Sequence, residues 1–174
     1  MNRNQHFTAV WIAAILLVGV FTACKPDKGN FQDKEQGHLL HKYLKPYPDE
    51  LTALLLPSDT VTLKAIDAYN TGQFENAAKS FPNYARNLEQ AGYILLYKGI
   101  SELMTGNDNE ALITLQRIQT KMGESHSISQ WYLALNYLSF NNVYEARQRL
   151  TKLADSQLFG HDLAKQLLKE LPEN

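Results

Sequence analysis

Three stretches of sequence decide the fold: AIDAYNTGQFENAAKSFPNY at residues 65–84, GISELMTGNDNEALITLQRI at residues 99–118 and ALNYLSFNNVYEARQRLTKL at residues 134–153. They align with one another at offsets of 34 and 35 residues. Each begins with a small residue, followed by a turn residue, an alanine and a large apolar residue at fixed spacing. The aligned sets are Ala65, Gly99 and Ala134; Gly72, Gly106 and Asn141; Ala77, Ala111 and Ala146; and Phe81, Leu115 and Leu150. This period indicates a repeated supersecondary unit.

The spacing resembles the tetratricopeptide repeat over about residues 60–156. This resemblance implies pairs of antiparallel helices, in which small residues allow close crossing and large residues pack beside them. The turn residues fit, because glycine adopts positive φ readily and asparagine is the next most tolerant residue. The sequence therefore predicts helices near residues 61–71, 74–88, 91–104, 109–122, 127–139 and 144–156.

A helical extension is predicted before the repeats, at residues 38–59. Its stretch HKYLKPYPDELT, residues 41–52, is similar to the opening of bacterial, Bacteroidetes-type membrane-attached tetratricopeptide proteins. We expect a short helix around residues 38–44, followed by a break at Pro46 and Pro48. The leucines that follow the break are expected to cover the open face of the first repeat.

The stretch HDLAKQLLKEL, which follows Gly160, has the apolar spacing of an amphipathic helix, and Pro172 ends it. We expect this helix to cap the last repeat. The predicted fold class is therefore all-α. It comprises three tetratricopeptide-like helix pairs stacked as a short solenoid, a C-terminal capping helix and a short N-terminal helical extension, with the repeats and cap at residues 60–174.

An apolar run near the start of the chain predicts a signal peptide. Residues 7–21 read FTAVWIAAILLVGVF, which fits a signal-peptide apolar region of about 7–15 residues and falls short of the about 20 that span a bilayer. Two small residues then precede Cys24, the only cysteine, and this arrangement resembles the bacterial lipobox. The resemblance implies a cleaved lipoprotein signal peptide at residues 1–23 and a lipid on Cys24. The polar residues 24–37 are predicted to form a flexible tether.

Two other interpretations of Cys24 remain open. Residues 7–23 stay uncleaved in one of them, as a signal-anchor helix that holds an accessory subunit of an inner-membrane complex. Cys24 is a reactive or metal-binding thiol in the other, although no CxxC motif and no histidine at ligand spacing accompanies it. The lipid-anchored interpretation places the domain at the cell envelope, facing the periplasm, with Lys25 slightly favouring the outer membrane.

Charge and motif content narrow the classes of function. The chain has 17 basic and 18 acidic residues, whereas nucleic-acid binding requires clustered Lys and Arg. The sequence contains no Gly-rich phosphate loop and suggests no Ser–His–Asp or Cys–His arrangement. His38 and His41 are three residues apart but have no third ligand placed with them. We therefore expect no enzyme activity, cofactor, metal site, small-molecule substrate or nucleic-acid partner.

Aromatic residues on the first helix of each pair form the predicted binding site. The resemblance implies that these helices line a concave face, and large aromatic side chains dominate many protein interfaces. We therefore predict a non-catalytic, lipid-anchored scaffold that binds a protein or peptide partner through this face. The other interpretation is that the same aromatics are core residues and that the N-terminal extension fills the groove. The predicted partner-binding residues are Tyr69, Tyr93, Tyr97, Trp131 and Tyr132.

Overall fold

Every regular element in the described part of the chain is a helix. The computed structural model describes residues 37–172, so the predicted signal peptide and Cys24 lie outside the described residues. There is no β-strand between residues 37 and 172, and the all-α prediction is confirmed. The helices are α1 (residues 37–43), α2 (Thr60–Asn70), α3 (Phe74–Ser80), α4 (Leu88–Met104), α5 (Asp108–Gln116), α6 (Glu124–Ser139), α7 (Val143–Ala154) and α8 (His161–Glu170), with short 3-10 turns at Thr52–Leu54 and Thr120–Met122.

Helices α2 to α8 pack in the order in which they occur in the sequence. Each helix contacts the next one along the chain, and α4 also contacts both α2 and α6. The helices therefore form three successive pairs, α2 with α3, α4 with α5, and α6 with α7, and the first helices of successive pairs touch directly. Helix α8 packs on α7 and follows the last pair.

The small residues at the start of each aligned stretch lie where two helices cross closely. Ala65 and Ala134 are fully buried. A Cβ atom added to Gly99 in α4 would lie 2.7 Å from Cδ2 of Leu115 in α5. Because two carbon atoms do not approach so closely, any larger residue at position 99 would force the Leu115 side chain or the helices to shift.

The turns inside the three pairs have the backbone conformation that the sequence predicts. Gly72 and Gly106 have φ values of 75° and 74°, and Asn141 has a φ of 58°. Asparagine is among the few non-glycine residues that tolerate this left-handed conformation. One turn geometry therefore recurs in all three pairs.

Some helix boundaries differ from the prediction for local reasons. Helix α3 ends at Ser80 and not near residue 88, because Phe81 precedes Pro82 and has an extended conformation, with ψ of 128°. Helix α4 begins at Leu88, where the Asn87 side chain caps it by accepting a hydrogen bond from the Gln90 N–H. Helix α5 also ends earlier than predicted, at Gln116.

The N-terminal extension is helical only in part. Residues 37–43 form α1, residues 44–50 have no regular secondary structure, and the 3-10 turn follows them. We call residues 38–51 the arm. Four apolar or aromatic side chains of the arm are buried at intervals of four residues: Leu39, Tyr43, Tyr47 and Leu51. Leu51 is fully buried, whereas Leu56 further on is about half exposed, at 49%.

Candidate functional site

The five predicted binding residues lie on the first helices of the three pairs. Tyr69 belongs to α2, Tyr93 and Tyr97 to α4, and Trp131 and Tyr132 to α6. We call the surface that they form the tyrosine groove. Each of the five side chains is at most 4% exposed to solvent.

The arm covers the tyrosine groove along its length. Tyr43 of the arm packs edge-on against Trp131, with ring centroids 6.1 Å apart. Tyr47 lies 6.4 Å from the ring of Tyr97 and 5.1 Å from that of Phe159, which precedes α8. The arm therefore contacts residues from the second and third helix pairs, and it does not merely cover the end of the first repeat.

Three groove tyrosines bind the backbone of the arm through their hydroxyl groups. Tyr132 donates to the carbonyl oxygen of Lys45 at 2.8 Å. Tyr69 donates to the carbonyl of Tyr47 at 3.0 Å. Because a backbone carbonyl is present at every residue, these hydrogen bonds recognise an extended chain and not a particular side chain.

Tyr97 provides the third hydroxyl and also accepts a hydrogen bond. It donates to the carbonyl of Pro48 at 2.6 Å, and it accepts from the N–H of Glu50 at 2.8 Å. The Tyr97 ring meets Tyr69 edge-on at 4.9 Å and stacks with Tyr93 at 6.2 Å. Tyr97 is fully buried and therefore fixes the arm at the centre of the groove.

A carboxylate of the arm satisfies the fourth groove hydroxyl. Tyr93 donates to Oε2 of Glu50 at 2.8 Å, and Tyr47 donates to Oε1 of the same carboxylate at 2.9 Å. Asp49 accepts hydrogen bonds from the Thr52 hydroxyl and from the Asn70 amide at the end of α2. The two acidic residues that follow Pro48 thus fix the end of the arm against α2 and α4.

Burial makes ionisation of the groove hydroxyls even less favourable than it is in water. Removal from water raises the pKa values of all four groove tyrosines above the usual value of 10.0, because it disfavours the phenolate. The hydrogen bond to Glu50 raises the pKa of Tyr93 further. At neutral pH the hydroxyls are therefore protonated and available as donors.

The other end of the arm is held by the last helix. Lys42 approaches both carboxylate oxygens of Glu170, at 2.7 and 2.8 Å, and the Tyr43 hydroxyl donates to the same carboxylate at 2.7 Å. We call these three residues the latch. The Lys42 and Glu170 side chains are 49% and 35% exposed. The latch is therefore a surface contact, and single ion pairs of this kind contribute little to stability.

The predicted residues thus converge, but they face the arm of the same chain and not solvent. Their role in binding a partner stays a prediction, since a partner reaches these side chains only when the arm leaves. Sequence reasoning missed the arm residues that fill the site, above all Tyr47 and Glu50. The available signal was the proline pair in KPYPDE, because alternating prolines favour an extended chain over a helix.

The two histidines that the sequence places three residues apart lie on α1. His38 and His41 are both exposed. Between residues 37 and 172, no three His, Cys, Asp or Glu side chains form a group able to hold a metal ion.

No family model, curated protein or solved structure matches this chain. The function must therefore be inferred from the groove, its occupant and the sequence pattern.

Proposed function

We propose that the protein is a non-catalytic, lipid-anchored scaffold of the cell envelope that binds a partner protein or peptide in the tyrosine groove. One observation carries this proposal: the groove holds an extended, proline-containing segment through hydrogen bonds from Tyr69, Tyr97 and Tyr132 to backbone carbonyls. Aromatic-lined grooves that hold extended proline-rich segments are a recurring mode of peptide recognition.

The proposal includes a tetratricopeptide-like stack for residues 60–174. The aligned stretches at offsets of 34 and 35 residues support it. The contacts of α4 with both α2 and α6 also support it, because first helices of neighbouring repeats lie side by side in such stacks. Proteins built in this way present binding surfaces along those helices.

The membrane attachment is proposed from the sequence of the first 24 residues. An apolar run of signal-peptide length followed by small residues and Cys24 supports cleavage and lipidation. Two or more acyl chains on Cys24 would hold the domain stably at the membrane surface, since a single chain binds only weakly. None of the helices within residues 37–172 has the length and apolar content needed to cross a membrane. We place the domain on the periplasmic side, with the outer membrane as the favoured location.

Intact mass of the protein extracted from membranes tests the anchor. We expect a chain that begins at Cys24 and carries a diacylglyceryl group, whereas Cys24→Ala should lack that added mass. A full-length, unmodified chain would contradict the lipid anchor and would favour the signal-anchored accessory subunit.

Site-specific crosslinking in native membranes tests the binding function. A photoreactive amino acid at Leu163, which is 39% exposed and lines the cleft beside Trp131 and the arm, should crosslink a partner protein. The matched control is Ile113 on α5, which is 64% exposed and does not line that cleft. Absence of a Leu163-specific crosslink from a folded, membrane-bound chain would refute binding at the groove.

A further inference from the structure

The arm shows which kind of peptide the tyrosine groove accepts. In the order of the chain, Pro46, Tyr47 and Pro48 are followed by the two acidic residues Asp49 and Glu50. Tyr47 is 6% exposed and packs among groove and α8-side rings, while both prolines remain exposed. A buried aromatic residue between two exposed prolines is therefore the central feature of the bound segment.

The backbone contacts explain why the bound segment is extended. The groove hydroxyls bind the carbonyls of Lys45, Tyr47 and Pro48. A helix would use those carbonyls for its own hydrogen bonds, and proline in addition lacks an N–H to donate. The segment must therefore be free of helix to satisfy the groove, and the two prolines favour that state before binding.

The carboxylate of Glu50 adds side-chain selectivity. It lies three residues after the buried aromatic and accepts from both Tyr93 and Tyr47. Replacing this carboxylate by an apolar group would remove the acceptor of the Tyr93 hydroxyl at the part-buried edge of the groove, where Glu50 itself is exposed. The groove therefore favours an acidic residue at this position.

The connection of the arm to α2 and the latch at its other end both lie at the surface, although four arm side chains between them are buried. Residues 56–58, which join it to α2, are exposed. Arg86 holds this connection from the other side, by donating to the Leu54 carbonyl at 2.8 Å and pairing with Asp59 at 2.8 Å. At the opposite end the arm is held by the partly exposed latch. A second peptide with the same pattern offers the groove the same hydrogen bonds, so exchange leaves no buried group unpaired.

We propose that the arm is an internal ligand, which occupies the partner site until a partner segment replaces it. This partner segment is extended and contains a proline, an aromatic residue, a second proline and a following carboxylate. This inference rests on the proposed function and names the partner chemistry and its regulation. The covalently attached arm competes at a high effective concentration, in the millimolar range for short linkers. A free peptide therefore binds the intact chain more weakly than it would bind an open groove. Its affinity is reduced in proportion to the fraction of molecules whose groove is open.

Cutting the connection in the folded protein tests this proposal. A protease site is inserted between Pro57 and Ser58 of the full chain, and the purified protein is cut without denaturation. The probe is a fluorescent peptide with the sequence of residues 38–52, HLLHKYLKPYPDELT. We expect this probe to replace the arm in the cut protein and to bind it at least about tenfold more tightly than the uncut protein.

Three comparisons define the chemistry of binding. A peptide with Pro46→Ala, Tyr47→Ala and Pro48→Ala should not exchange into the cut protein. Tyr132→Phe keeps the ring but removes the hydroxyl, so the cut variant should bind the probe more weakly. Tyr144→Phe removes an exposed hydroxyl, 60% accessible on α7, and should not change binding.

The uncut protein provides a second test, because the arm and the free probe compete for the same groove in it. Tyr132→Phe weakens binding of the arm and binding of the free probe equally. The apparent affinity of the uncut chain for the probe should therefore stay nearly constant. Tyr47→Ala weakens only the arm and should tighten probe binding to the uncut chain. Tighter binding with Tyr47→Ala, together with little change for Tyr132→Phe, would distinguish competition for one groove from binding at another surface.

Several results would overturn the proposal. Failure of the probe to enter the folded, cut protein would show that the arm is a permanent part of the core. Unfolding of the cut protein as the arm fragment leaves would show the same. A Leu163-specific crosslink to a partner, obtained despite absent exchange, would leave the proposed function intact and refute only the internal-ligand inference. Absence of that crosslink despite efficient exchange would instead refute the proposed function.

Discussion

The hydroxyl group of Tyr97 donates a hydrogen bond to the backbone carbonyl of Pro48 across a distance of 2.6 Å. The same hydroxyl accepts from the N–H of Glu50 at 2.8 Å, so one fully buried side chain satisfies two backbone groups of the arm. The two residues that it joins to α4 lie more than 45 positions earlier in the sequence. Tyr97 is therefore the single most connected residue between the groove and the arm.

Tyr97→Phe should destabilise the protein through these two hydrogen bonds. The substitution keeps the ring but leaves the Pro48 carbonyl and the Glu50 N–H without this partner, which costs about 1–3 kcal/mol. Urea unfolding measures the change in the free energy of unfolding. Tyr144→Phe, at an exposed position of α7, is the matched control and should leave stability within about 0.5 kcal/mol of the parent. Equal effects of both substitutions would contradict the role assigned to Tyr97.

Acid should loosen the latch before it unfolds the helical stack. Hydrogen bonds from Lys42 and Tyr43 lower the pKa of Glu170 below its usual value of 4.5. The carboxylate therefore stabilises the latch above pH 4.5, and this contribution is lost as the pH falls through the lowered pKa. Amide hydrogen exchange in residues 41–45, corrected for the intrinsic pH dependence of exchange, reports this change. In the Glu170→Gln variant, this exchange should already be faster than in the parent at pH 7, and lowering the pH should not increase it further.

Alkaline pH should weaken the contact between the arm and the groove. Burial raises the pKa values of Tyr69, Tyr97 and Tyr132 above 10.0. A raised pKa in the folded state contributes stability below the unfolded value, and the contribution is lost as the pH rises through the folded pKa. We therefore expect arm exchange to increase only above about pH 10. A pH-independent exchange rate from pH 8 to pH 12, after correction for intrinsic chemistry, would refute this.

Glu102→Gln should stabilise the protein at neutral pH. Glu102 is only 7% exposed, and its Oε2 atom has no hydrogen-bond partner within residues 37–172. Burial raises the pKa of Glu102, although a hydrogen bond with Thr114 opposes the shift. Removing the charge should therefore raise the free energy of unfolding at pH 7.

The pH dependence checks the cause of that gain. A carboxyl group with a raised folded pKa is favourable below 4.5 and loses that contribution as the pH rises, so the advantage of Glu102→Gln should vanish in acid. Glu75→Gln is the control, because the Glu75 side chain is 71% exposed and pairs with Lys79 on the surface. A stabilisation that is the same at pH 4 and pH 7 would contradict the desolvation argument.

Gly99→Ala should destabilise the crossing of α4 and α5. The added methyl group would lie 2.7 Å from Leu115, in a buried contact. Overpacking of this kind costs about 1–3 kcal/mol, against a gain of about 1 kcal/mol in helix propensity. Gly37→Ala is the control, since an added Cβ there meets no atom within 4 Å. Thermal unfolding should give a lower Tm for Gly99→Ala than for Gly37→Ala.

Local sequence signals were sufficient to predict the helix pairs and their turns. Gly72, Gly106 and Asn141 adopt positive φ as expected, because this requirement acts within a few residues of the turn. The burial of Ala65 and Ala134 follows from the same regular spacing. The end of α3 was predicted too late, since the effect of Pro82 on Phe81 outweighed the helical pattern.

The arm was harder to predict, because its partners lie far away in the sequence. Residues 44–50 have no helical or strand periodicity, and their hydrogen bonds join them to Tyr97 and Tyr132 at separations of up to 87 residues. A sequence pattern places aromatics on a helix face, but it does not show which segment covers that face. The proline pair indicated an extended chain, and only the folded structure shows where that chain lies.

The contact between Lys42 and Glu170 joins residues that are 128 positions apart. Helix pairs that touch only their neighbours can assemble and come apart piece by piece. The arm, which contacts all three pairs and the final helix, adds contacts between parts of the chain that neighbour-to-neighbour packing alone would leave unconnected. The contact between Lys42 and Glu170 can therefore form only after α8, the last helix of the domain, has been synthesised.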